Sequence, residues 1–234
     1  MKIFTFGDGF AHGHIWPEWP QILQAMSPQH KIINTSGIGA GAEFLVTNFV
    51  DLMDQMHNSI VIFQWPCAAR FDKVLEDDSW DATIDNDAVY HFNRVMDRQN
   101  RRWWLSSASI MPDIKRYHDF YVQSQQQYSR MKVWQALVKH ACLALHSQYV
   151  FASTDQQDAY SKESRFKDLR QNEIQPSPWV HLCWLQDTIL PHLGLDLEVA
   201  RQQLLEKRLL EHAWKPYDPD REQIWLDIVD SLNG

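Results

Sequence analysis

The stretch KIFTFGDGF, residues 2–10, decides how the rest of the chain is read. Its first five residues are apolar or β-prone and read as a buried strand, which ends at Gly7-Asp8-Gly9-Phe10. A strand that runs into a glycine turn before a helix often delivers a functional group at its carboxyl end. Residues 17–26, PEWPQILQAM, read as the helix that follows, with Pro17 and Pro20 tolerated in its first turn. The same alternation then repeats. KIINT, residues 31–35, reads as a second strand, and AEFLVTNFVDLMDQM, residues 42–56, carries its apolar side chains at helical spacing. SIVIFQ, residues 59–64, is the strongest strand signal in the chain. Strands alternating with helices imply a parallel sheet covered by helices.

Further along, an Asp-rich stretch precedes a helix expected around residues 86–99. WWLSS, residues 103–107, reads as a fourth strand and QYVFAS, residues 148–153, as a fifth. Residues 113–146 between them read as one long helix or two consecutive ones. Residues 155–176 are polar and read as a surface excursion, and residues 178–192 as the last core helix. An amphipathic helix over residues 196–213 starts at an Asp196 cap, and a final helix spans residues 220–232. The expected division is a domain over residues 1–193 and a C-terminal helical extension over residues 194–234.

Composition narrows the function. The 234 residues can bury a full core. A net charge of −8 argues against a general affinity for nucleic acid, which needs a basic footprint. The local basic run of Arg94, Arg98, Arg101 and Arg102 reads as a solvated helix end leading into a buried strand. Cys67, Cys142 and Cys183 are odd in number and form no CxxC, so neither a disulfide framework nor a structural zinc site is expected. The apolar stretch after Lys2 is too short for a signal peptide, and the longest apolar run, near residue 60, is too short to span a bilayer. A cytoplasmic protein, or one assembled into a particle, is expected, with no membrane partner. Eleven Trp and eleven Phe exceed ordinary core needs, so some rings are expected at contact surfaces.

Of eight glycines, six (Gly7, Gly9, Gly13, Gly37, Gly39 and Gly41) fall in two loops, each directly after an expected strand. Glycine serves where backbone turns tightly or approaches something closely, so the two loops together suggest a cradle of backbone N–H groups. Three chemistries compete for it. Gly7, Gly9 and Gly13 form a loose GxGxxxG for a dinucleotide, but prolines disturb the next helix and no acidic residue ends the second strand. Asp8, His12 and His14 have a spacing that can converge on a metal, although loop histidines are more often polar surface. The third chemistry is acyl or ester hydrolysis with a backbone oxyanion cradle. No cofactor is expected.

The layout resembles the SGNH, or GDSL-like, hydrolase superfamily over about residues 1–193. Gly7-Asp8-Gly9-Phe10 looks like its first block, Asn34-Thr35-Ser36-Gly37-Ile38-Gly39 like its second, and Phe63-Gln64-Trp65-Pro66, followed by Arg70, occupies its third. Asn172-Glu173-Ile174-Gln175-Pro176-Ser177-Pro178 stands in the slot of the last block, with His181 three residues later. The resemblance implies a three-layer α/β sandwich: a five-stranded parallel flavodoxin-like sheet, order 2-1-3-4-5, with helices on both faces, plus the C-terminal helical extension.

Residue by residue, the resemblance fails at the chemistry. Gly9 stands where the family has its nucleophilic Ser, Asn172 where it has Asp, and Gln175 where it has its general base. Gly9 offers no atom to acylate, and an amide cannot take a proton from a hydroxyl at neutral pH. What the resemblance leaves is a binding cradle of Gly9, Gly39, Gln64, Trp65, Arg70 and Gln175. Trp16, Trp19 and Trp65 stand in or near the same loops. Aromatic platforms beside amide donors suit a carbohydrate or acyl-type ligand, or a protein partner. Three readings follow. The first is a degenerate binding or assembly module. The second is an ester, acyl or carbohydrate-ester hydrolase with a relocated site drawn from Asp8, His12, His14, Ser36, Cys67 and His181. The third is a structural protein of an oligomer or larger assembly, for example a virus particle.

Overall fold

The computed structural model describes residues 1–8, 17–37, 39–66, 70–75, 92–97, 99–107, 124–154, 156, 177–212, 214 and 219–233. Four parallel strands form the main sheet: β1 (Lys2–Phe6), β2 (Lys31–Asn34), β3 (Ile60–Trp65) and, far along the chain, β7 (Gln148–Ser153). Their spatial order is β2-β1-β3-β7, with Phe4 opposite both Ile33 and Val61, and Ile62 opposite Val150. Among the described residues this is the flavodoxin-like order 2-1-3-4, with four strands where five are expected.

The missing strand is WWLSS. Residues 103–107 belong to β6 (Arg102–Ser107), the centre of a separate antiparallel sheet between β4 (Arg70–Leu75) and β5 (Phe92–Met96). The helix expected around residues 86–99 is also corrected: residues 92–96 are β5, and residues 86–91 lie outside the described residues. A tight turn at Asp97–Arg101 is the reason. The Asp97 carboxylate accepts the backbone N–H groups of Gln99 and Arg101, both at 2.9 Å. Asn100 takes the left-handed conformation (φ 58°) and donates its N–H to the Asp97 carbonyl. Asp and Asn tolerate this geometry and compete with helical hydrogen bonds, so the chain folds back as a hairpin.

Helices cover both faces of the parallel sheet. Because side chains alternate along a strand, Ile3, Ile60 and Ile62 enter one core and Phe4, Phe6, Val61, Phe63 and Trp65 the other. The aromatic core is roofed by α2 (Ala42–Leu52) and α3 (Ser124–Ala144). The aliphatic core is roofed by α1 (Trp19–Met26), α4 (Pro178–Trp184), α5 (Val199–Glu211) and α6 (Arg221–Asn233). Helix α4 continues through a wider turn, Leu185–Ile189, and a short 3-10 turn, Leu190–His192. The last two helices share this core through Leu205, Leu209, Trp225 and Ile228, and Trp214 between them joins it. Arg201 fastens them, donating to the carbonyls of Ala25 and Leu232. Among the described residues, no helix is long and apolar enough to cross a membrane.

The antiparallel sheet docks on α2. Asp72 of β4 accepts the backbone N–H groups of Gly41 at 2.6 Å and Phe44 at 2.7 Å, capping the helix from another element. A Cβ at position 41 would lie 2.9 Å from Asp72 Oδ2, so glycine there serves the approach of a side chain from the same protein.

Candidate functional site

The carboxyl ends of β1, β2, β3 and β7 meet the start of β4. Apolar strands carry the chain to this end, and polar residues take over where each strand stops. The loop after β2 is drawn against the loop after β1: the Gly37 N–H donates to the Gly7 carbonyl at 3.1 Å. Asn34 Oδ1 accepts from Thr5 Oγ1 and from the Ser36 N–H. Gly39 has φ 78°, a left-handed conformation that a side chain would strain.

Asp8 lies at the centre. It is fully buried and forms an ion pair with Arg70 Nη1 at 3.1 Å. Thr154 Oγ1 donates to Asp8 Oδ2 at 2.9 Å and stands 3.2 Å from the Trp65 carbonyl. One carboxylate thus joins the ends of β1 and β7 to the start of β4, with the last carbonyl of β3 in the same network. Such a burial is tolerable because the charge has both a counter-ion and a hydrogen-bond donor.

The cradle residues do not come together. Arg70 lies against Asp8, whereas Gln64 and Trp65 point to opposite faces of β3. Gln64 is fully buried, and its Oε1 accepts from the Trp19 indole at 3.1 Å. Trp65 is buried in the aromatic core, stacked on Phe63 with centroids 4.1 Å apart. His181 is buried on α4, and burial pushes its pKa down to about 3, so it is neutral and a weak base. Gly9, His12, His14, Trp16, Cys67, Asn172 and Gln175 lie outside the described residues.

Four buried polar atoms at this end of the sheet have no hydrogen-bond partner among the described residues: Ser36 Oγ, Trp65 Nε1, Arg70 Nε and Arg70 Nη1, whose approach to Asp8 is a charge contact without hydrogen-bond geometry. A buried donor left unpaired costs about 1–3 kcal/mol, so unspent donors at strand ends suit oxygen-bearing groups or water. Arg70 also acts on Asp72 two residues away. Burial raises the Asp72 carboxyl to about 6, against the opposing pull of the Phe44 and Gly41 N–H groups and of the Arg70 charge.

Sequence reading missed Thr154 and Asp72. The signal for Thr154 was its place directly after a parallel strand, where strand ends converge on a site. Asp72 carries no local signal, since its partners are 28 and 31 residues away. No protein-family model matches the chain, and no curated protein matches it.

Proposed function

We propose that the chain is an SGNH-like domain without the family's ester hydrolysis, acting as a binding or assembly module. The observation that carries the reading is the Asp8–Arg70–Thr154 cluster. The acidic residue of the nucleophile loop is paired, buried and used to hold strand ends together. Gly9 beside it supplies no nucleophile. The unspent donors of Ser36, Trp65 and Arg70 support binding of an oxygen-rich ligand, carbohydrate or acyl in character, or of a protein partner.

A panel of short acyl esters and acetylated glycans, assayed with the wild-type chain and with His181→Ala, tests the reading. No turnover in wild type above the variant is expected. Turnover that chelation abolishes would replace the proposal with a site at Asp8, His12 and His14. Turnover that thiol alkylation abolishes would replace it with one at Cys67, and turnover lost in His181→Ala with one at that histidine.

A further inference from the structure

Helix α3 is unusual in a chain of net charge −8, because it contains Arg130, Lys132 and Lys139 and no Asp or Glu. Arg130 pairs with Glu43 of α2. Lys132 lies 4.6 Å from the ring centre of Tyr128, and neither Lys132 nor Lys139 has a carboxylate partner among the described residues. The inner face of the helix enters the aromatic core through Val138 and Cys142. Its outer face mixes exposed apolar side chains with these cations: Val133 is 65% exposed, Leu137 39% and Leu143 52%, and Lys132 and Lys139 are exposed as well. Ala136 and Ala144 are exposed on the same helix.

Helix α6 is its counterpart. Its inner face enters the aliphatic core through Trp225 and Ile228. Its outer face presents Glu222, Leu226 and Asp230 at i, i+4 and i+8, which places them in one stripe, with Leu226 53% exposed at the centre. Glu222 and Asp230 have no basic partner among the described residues.

The two surfaces match in charge and in spacing. Lys132 and Lys139 are separated by about 10 Å of helix, and Glu222 and Asp230 by about 12 Å, at the rise of an α-helix. On α6 the charged pair brackets Leu226, and on α3 the lysine stripe holds Ala136 between Lys132 and Lys139 and Leu143 one turn beyond. Helices α3 and α6 roof opposite faces of the sheet, so the surfaces of one molecule cannot meet each other. We infer that α3 of one copy docks on α6 of the next copy of this chain, with Lys132 and Lys139 facing Glu222 and Asp230 around Leu226. Because the two patches differ, the contact is head-to-tail, and repeating it builds a ring or a filament. This deepens the assembly half of the proposed function and is independent of the strand-end site. A failed ester or ligand assay speaks to that site, and a failed association assay speaks to this surface.

The test is light scattering and sedimentation of the full chain over a concentration series at low and high salt. Self-association that weakens as salt rises is expected, since exposed charge pairs are screened. Lys132→Glu/Lys139→Glu and Glu222→Lys/Asp230→Lys should each weaken association at least tenfold. All four positions are exposed, and circular dichroism checks that the folds are intact. Mixing the two double variants should restore association, because each retains one native surface that fits the other's. A chain that stays monomeric up to its solubility limit at low salt overturns the inference. So does association that neither double variant changes, or that mixing fails to restore.

Discussion

Helix α2 is held by two sheets, and by different physics in each case. Against the parallel sheet it buries Leu45, Phe49 and Leu52 among Phe4, Phe6 and Phe63. Phe6 stacks on Phe63 at 5.1 Å, and Phe49 meets both edge-on. Against the antiparallel sheet the same helix is gripped by specific polar groups. Asp72 caps its N-terminus, and Arg101 joins Asp51 near its C-terminal end to Asp97. The Trp103 indole donates to Asp97 at 2.6 Å while its ring meets Phe44 edge-on. Apolar burial is non-directional and tolerates variation, whereas a buried carboxylate with fixed donors tolerates little. The parallel sheet is therefore the robust part of the fold, and the antiparallel sheet the specified part.

The largest effect should come from the shared aromatic core. Phe63→Ala removes the ring on which Phe6 and Trp65 stack, and a loss of about 3–5 kcal/mol is expected in urea unfolding. Circular dichroism and tryptophan fluorescence should report one common transition. A loss below about 1 kcal/mol would mean that this core does not anchor α2.

Asp72→Ala comes next. It leaves the Gly41 and Phe44 N–H groups buried without acceptors, and about 2–3 kcal/mol is expected. Comparing this variant with and without Trp103→Phe isolates the Trp103 fluorescence, which should respond ahead of far-ultraviolet dichroism as the antiparallel sheet detaches first. Protonation sharpens the same comparison. The folded carboxyl titrates above its unfolded value, so its stabilising contribution is complete below 3.8 and is lost as pH rises through about 6. Relative to Asp72→Asn, the wild type should lose stability over that window. Asp97 has the opposite sign. Burial pushes it up, but its hydrogen bonds from Trp103, Arg101 and backbone N–H groups outweigh that and hold it below the usual range. Its contribution is present above the unfolded value and is lost as pH falls. A flat difference between wild type and Asp72→Asn would refute the Asp72 assignment.

Thr154→Val should have the smallest effect. It keeps the shape and removes the donor to Asp8, for about 1 kcal/mol by thermal or urea unfolding. No measurable change would show that the Thr154 hydroxyl is not needed to satisfy Asp8.

Much of this architecture is legible in the sequence. β1, β2, β3 and β7 declare themselves as short apolar runs closed by turn residues, and α2 and α5 by helical spacing. The partner of WWLSS was not legible. A half-apolar pentapeptide fits either kind of sheet, and its two neighbours, β4 and β5, lie in stretches without clear alternation. The Asp97–Asn100 turn was locally encoded, but its signal competed with an apparent helix over residues 86–99. In the candidate site, Asp8 and Gly39 were legible from turn chemistry, and Arg70 from its place beyond the third strand. Their union was not, because Asp8 and Thr154 are 146 residues apart.

Sequence by itself determined the four strands of the main sheet, that this sheet is parallel, helices α1 and α2, and that glycine follows Asp8. Those properties depend on periodicity, turn chemistry and residue identity, all of which are local. Tertiary structure alone decided that the chain splits its strands between two sheets and that Gly41 makes room for Asp72. It also decided that Asp8 is spent on Arg70 and Thr154. The reason is physical: a buried carboxylate is stable only where counter-ions and donors converge, and convergence from distant positions exists only once the chain has folded.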